Sequence, residues 1–122
     1  MNKKIIIKKI ADNLYNRSVF VAVGEQNETM RKFEKYHKLD PGTLVPDPRA
    51  GGALFYLPSG GFLVWLEHYK GSAQDTNILI HEVFHLVHAV LGQAGLKLTD
   101  DSEEAYAYLA GYFAREITKA IK

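Results

Sequence analysis

Continuous apolar runs in the first half of the chain indicate β-strands. The run 18–24 is β-branched and aromatic and closes on glycine, which is typical of a strand buried on both faces. Segments 53–57 and 62–67 flank a Pro-Ser-Gly-Gly turn, so they predict a β-hairpin. The isoleucines within residues 1–10 fit one more strand slightly better than a helical turn.

Helical spacing follows in three segments. Apolar residues between Glu28 and His37 predict an amphipathic helix capped by Asn27. From Thr76 to Leu91 apolar side chains fall nearly all round a helix, so we expect it to be central and buried on most sides. The third helix runs from about Ser102 to Ile121. Its small residues are expected to pack against the 76–91 helix: Ala107, Ala110, Gly111 and Ala114.

These elements predict an α+β fold with a small mixed sheet of about three to four strands and one crossover. The sheet packs against the helix of 76–91 and the long C-terminal helix. The chain has 122 residues, 47% of them hydrophobic, which suits one domain spanning residues 1–122. The Pro- and Gly-containing segment 39–52 predicts a loop, either a gate beside a site or a rigid connector.

Composition narrows the possible partners. The 15 basic and 14 acidic residues nearly balance, so the chain has no excess of positive charge that would indicate a nucleic-acid partner. The first ten residues hold an apolar core too short for a signal peptide or a membrane span, so we expect a cytoplasmic protein without a membrane partner. The absence of cysteine excludes disulfides and thiolate metal ligands, which leaves histidine and carboxylate for any metal.

The segment 81–85 reads His-Glu-Val-Phe-His, an HExxH pattern on a predicted helix. Residues four apart on a helix point the same way, so His81 and His85 can both reach one zinc ion at about 2.0–2.1 Å. Glu82 lies about 100° round the helix, where it can take a proton from a metal-bound water. The pattern predicts a zinc hydrolase with Glu82 as its general base.

A catalytic zinc site usually has three protein ligands, so a third is needed. His88 lies about 10.5 Å along the helix from His81, which is too far for easy sharing. Glu103 and Glu104 are the remaining candidates, although both also stand at capping-box spacing from acidic residues. The pattern alone leans slightly to Glu103.

The HExxH motif followed by residues 104–108 (EAYAY) resembles the HExxH plus ExxA(N/D) arrangement of gluzincin metallopeptidases, in particular the ImmA/IrrE-like peptidases. The block 65–112 also resembles small zinc-peptidase-like proteins of phages and mobile elements. This resemblance implies a minimal zincin-like fold in which His81, His85 and Glu104 bind Zn2+ and Glu82 is the base. Tyr108 departs from the pattern, because the family has Asn or Asp at that position to support the site.

Two functional hypotheses follow. The first is a zinc-dependent metallopeptidase of gluzincin type, with a peptide or protein substrate along strand 62–67, whose edge we expect to be free. The alternative is a catalytically inactive zincin-fold binding or regulatory protein of phage or mobile-element origin. The chain has no helices to spare for a helix-turn-helix, so direct DNA binding is not expected.

Overall fold

The computed structural model describes residues 4–14 and 17–122, with the side chains of residues 12 and 13 excepted. Four strands and three helices lie in this part of the chain: β1 (Ile6–Leu14), β2 (Arg17–Val23), α1 (Gln26–Tyr36), β3 (Gly52–Tyr56), β4 (Phe62–Leu66), α2 (Ala73–Gln93) and α3 (Glu103–Ala120). The predicted α+β class with a small mixed sheet is confirmed. The predicted first strand is present as β1, although residues 1–3 of the predicted segment lie outside the described residues.

The sheet has the strand order β1-β2-β4-β3. β2 and β4 are parallel, while β1 pairs with β2 and β3 pairs with β4 in antiparallel fashion. The predicted hairpin is therefore confirmed as β3–β4. Its register pairs Leu54 with Val64.

The prediction of a free edge on strand 62–67 is wrong. β4 is hydrogen-bonded on both sides, to β2 and to β3, and all five of its residues are buried. The crossover through α1 brings the second strand of the hairpin beside β2, which leaves the first strand outside. An unbroken apolar run such as 62–66 suits this interior position. The edge strand of the hairpin is β3.

The sheet has a hydrophobic core on each face. α2 and α3 cover one face, where they pack on Val19, Val21 and Val64. On the other face α1 and the following loop pack on Ala22, Leu63 and Trp65. Neighbouring residues of β2 and β4 face opposite cores, which explains why both strands read as continuous apolar runs.

α2 begins three residues before the predicted start. Ser72 caps it by accepting a hydrogen bond from the Asp75 backbone at 3.0 Å, and the Asp75 side chain accepts from the Ser72 backbone in return.

The expectation that this helix is buried on most sides is wrong. Ile80 and Phe84 are 51% and 55% exposed, because the sheet and α3, the main elements that pack on α2 among those described, leave this side of the helix uncovered.

α3 contacts the rest of the protein mainly through large side chains, although Ala110, one of the small residues expected at the contact, is partly buried against the same core. Its buried residues are Tyr106, Phe113 and Ile117. Ala107 and Gly111, which were expected at the contact with α2, are exposed. The large apolar residues recur three to four positions apart and so define the face that packs.

The loop after α1 is anchored to that helix. Glu34 is buried and accepts hydrogen bonds from the backbone of Gly42 at 3.2 Å and of Leu44 at 2.8 Å. Arg31 pairs with Glu34 at 2.7 Å and donates to the Leu44 carbonyl. These contacts favour a rigid connector over a gate.

The cap of α1 is Glu25 rather than the predicted Asn27.

None of the described helices is both long enough and apolar enough to cross a bilayer.

Candidate metal centre

His81 and His85 lie one turn apart on the exposed side of α2. Their Nε2 atoms are 3.2 Å apart, and the ring centroids are separated by 4.7 Å. Two nitrogens that each lie about 2.0–2.1 Å from a tetrahedral ion are roughly 3.3 Å from one another. The separation of the two nitrogens therefore matches the spacing that a shared zinc ion requires.

Glu82 lies beside this pair with its side chain turned toward the sheet. The residue is 6% exposed, and burial raises the pKa of its carboxyl group, while the neighbouring His81 and His85 act in the opposite direction. A carboxylate with a raised pKa is a stronger proton acceptor at neutral pH. The environment of Glu82 thus fits the predicted general base.

Gly52 allows α2 to approach the edge of the sheet closely at this point. A Cβ atom on Gly52 would lie 2.8 Å from Ile78 Cγ2, 3.1 Å from the Trp65 carbonyl oxygen and 3.3 Å from Glu82 Cγ. Only glycine fits without displacement of these neighbours. The sequence analysis assigned no role to Gly52. The signal that could have identified this close approach was its position at the start of a strand that faces the HExxH helix.

A cleft of about 320 Å³ opens between α2 and β3. Leu54 and Tyr56 of β3 form one side, and Glu82, His85 and His88 of α2 line the other. The strand along this cleft is therefore β3, where the sequence had indicated 62–67. Ala89 completes the lining.

The pairing of β3 with β4 determines which backbone groups of β3 remain at the open edge. Leu57 donates to Gly61 at 2.8 Å and Glu67 donates to Gly51 at 2.9 Å. In an antiparallel pair, residues that are hydrogen-bonded to the partner strand alternate with residues that are not. The N–H and C=O groups of residues 52, 54 and 56 consequently point away from β4, and the side chains of 54 and 56 point into the cleft.

The third ligand predicted from the sequence is not brought to the histidine pair. Glu103 and Glu104 are exposed in the first turn of α3. Within residues 4–14 and 17–122, no set of three His, Asp or Glu side chains could hold a metal ion. The pair fits zinc, whereas the arrangement of α3 leaves the ligand set incomplete.

Contacts at the start of α3 explain this position. The Tyr106 hydroxyl donates to the Leu96 carbonyl at 2.7 Å, beyond the end of α2, and Ser102 donates to the Lys97 carbonyl. The Tyr106 ring also packs on His88 with centroids 5.0 Å apart. The first turn of α3 is thereby held near the C-terminal end of α2, away from His81.

Three further polar side chains on α2 or just before it, those of His88, His68 and Asp75, make structural contacts. His88 lies between the rings of Phe84 and Tyr106, and its buried Nε2 has no hydrogen-bond partner among the described residues. His68 approaches the Asp75 carboxylate at 3.3 Å. The hydrogen bond from the Lys70 backbone is the main reason that the pKa of Asp75 lies below its usual value, so this carboxylate stabilises the start of α2.

Comparison of the chain with protein families, with curated proteins and with solved structures finds no match. No role can therefore be transferred to a residue of this chain from a relative. The features of this chain that bear on its function are the HExxH motif, its geometry and the cleft beside it.

Proposed function

We propose that this chain is a zinc-dependent metallopeptidase of gluzincin type that hydrolyses peptide bonds with an activated water. The observation that carries the proposal is the 3.2 Å separation of the His81 and His85 Nε2 atoms next to the buried Glu82. Zinc, when bound, lowers the pKa of a coordinated water and polarises a carbonyl group. His81 and His85 would hold the ion.

Glu82 handles the proton in this proposal. Its carboxylate accepts a proton from the attacking water and passes it to the nitrogen of the departing amine. The cleft wall formed by Leu54 and the close approach at Gly52 restrict water around the carboxylate. The same burial that raises its pKa makes the carboxylate a stronger base than an exposed one.

Glu104 is the proposed third ligand, on the basis of the resemblance to gluzincins, with Glu103 as the alternative. Either residue requires the first turn of α3 to shift toward His81 and His85 when the ion binds. The side chains that would move are already at the surface, since Glu103, Glu104 and the preceding residues 97–101 are exposed. Because the third ligand joins only when the ion binds, the metal affinity depends on the position of this turn.

The proposed substrate is an extended peptide that adds to the open edge of β3. Backbone groups of Gly52, Leu54 and Tyr56 are available there for pairing, and the Leu54 and Tyr56 side chains lie beside Glu82 and His85. A peptide in this position passes along the cleft with its backbone facing the histidine pair. Alternate side chains of the peptide would contact the apolar cleft wall.

The test begins with the metal content of the purified chain, measured by elemental mass spectrometry beside His81→Ala and Glu82→Gln. We expect about one zinc per wild-type chain, loss of zinc in His81→Ala and retention of zinc in Glu82→Gln. Cleavage of a mixed peptide library should be detected for the wild type and abolished in both variants. Absence of zinc from the wild-type chain even after zinc is supplied would exclude this function.

A catalytically inactive binding or regulatory protein built on the same fold is the second candidate. Two observations favour it: the ligand set is incomplete among the described residues, and the large apolar residues Ile80 and Phe84 are exposed on the same helix as the histidines. This candidate predicts no cleavage by the zinc-loaded wild type. It also predicts that Glu82→Gln leaves every binding property unchanged.

A further inference from the structure

A larger cavity lies on the opposite face of the sheet from the histidine pair. Its volume is about 580 Å³, compared with about 320 Å³ for the cleft beside Glu82. Pockets that bind small molecules typically measure about 300–1,000 Å³. The residues that line it include Ile5, Ile7, Lys9, Phe20, Lys32 and His37.

The cavity exists because one helix covers this face where two cover the other. α2 and α3 reach β3, β4 and β1 on their side, whereas α1 packs against β2. Side chains alternate along β1, so Ile6 and Ile10 join the core under α3 while Ile7 and Lys9 face the α1 side. The outer part of that face is left open beside α1.

Aromatic contacts give the cavity a fixed wall. His37 stacks on Phe33 with centroids 4.1 Å apart, and Phe20 meets His37 edge-to-face at 4.7 Å. Burial and the nearby Lys9 lower the pKa of His37, which favours the uncharged form of its ring. The wall is therefore flat and neutral, and it suits an apolar surface of a ligand.

The charged side chains among the described residues of the cavity lining are lysines. Lys9 and Lys32 line it, and no acidic side chain of the described residues does so. The Lys9 ammonium lies 5.7 Å from the centre of the Phe20 ring, above the apolar wall. Cations beside an apolar wall complement a molecule that has an anionic group attached to an apolar body.

We propose that this cavity binds a small amphipathic carboxylate, with its apolar body on Ile7 and Phe20 and its carboxylate at Lys32. The site is separate from the proposed metal centre, since it faces α1 rather than α2. Binding here does not depend on the peptidase function. The ligand class includes medium-chain fatty acids and aromatic carboxylic acids.

The test is a titration of the 15N-labelled full chain with octanoate, followed by amide chemical shifts. We expect saturable shifts at residues 5–9, Phe20 and 32–37, and no comparable shifts at 81–89. The uncharged octanamide should bind more weakly, because it lacks the carboxylate. Shifts concentrated at 81–89, or an absence of saturable shifts, would overturn the proposal.

Two variants on α1 provide a matched comparison. Lys32→Glu reverses a charge in the cavity, and Lys35→Glu reverses one on the same helix outside the lining. We expect octanoate affinity to fall about fivefold or more in Lys32→Glu and to stay near the wild-type value in Lys35→Glu. Both lysines are exposed, so both variants should keep the wild-type spectrum away from the substitution. Equal affinities in the two variants would contradict the assigned position of the carboxylate.

Discussion

Glu82 is a buried carboxyl group in surroundings that disfavour its charged form. Its carboxyl group is buried, and burial raises its pKa above the usual value. The folded protein therefore binds a proton at Glu82 more readily than the unfolded chain does. The stability associated with this group is present at low pH and is lost as pH rises through the raised pKa.

Replacement of Glu82 by Gln should consequently stabilise the metal-free protein at neutral pH, by up to about 1 kcal/mol. The amide has no charge to desolvate, so the gain over the wild type should be absent at pH 4 and grow toward pH 7. Urea unfolding at several pH values measures this difference. Glu67→Gln is the control, because Glu67 is exposed and its substitution should give no such trend. A constant difference between Glu82→Gln and the wild type across this pH range would show that burial of the charge is not the cause.

Two packed elements, β3 and α2, define the cleft through the close approach at Gly52. We expect Gly52→Ala to lower the free energy of unfolding by about 1–3 kcal/mol, because the added Cβ would lie 2.8 Å from Ile78 Cγ2 and 3.1 Å from the backbone oxygen of Trp65. Gly111→Ala is the matched control, since a Cβ there has no heavy atom within 4 Å and α3 is continuous through it. That control should stabilise the protein by about 0.5–1 kcal/mol. Chemical denaturation of both variants measures these opposite effects.

The helices and strands were largely predictable because each has a strong local pattern. The β3–β4 hairpin follows from its turn residues, and α2 follows from its cap at Ser72 and its uninterrupted apolar spacing. The edge of the sheet was not predictable from such patterns. It depends on which hairpin strand pairs with β2, and that choice is made by the crossover through α1 rather than by any residue within 62–67.

At the scale of the whole molecule, the candidate site was predictable where it lies within one helix and not where it spans two. His81, Glu82 and His85 are placed by helical geometry alone, so the spacing in the sequence was sufficient. The place of Glu104 depends on the connection between α2 and α3. That connection is fixed by the hydrogen bond of Tyr106 to Leu96, a contact that no local periodicity indicates.

The position of α3 also gives the whole molecule a measurable response to zinc. If Glu104 joins the two histidines, zinc binding ties the first turn of α3 to α2, so amide hydrogen exchange at residues 103–106 should slow when zinc is added. Glu104→Gln should lower zinc affinity about tenfold or more and remove this protection, whereas Glu103→Gln should retain both. The reverse result would assign Glu103 as the ligand. If zinc binds equally well to both variants without added protection, the histidine pair binds the ion independently of α3, and the gluzincin arrangement is wrong for this chain.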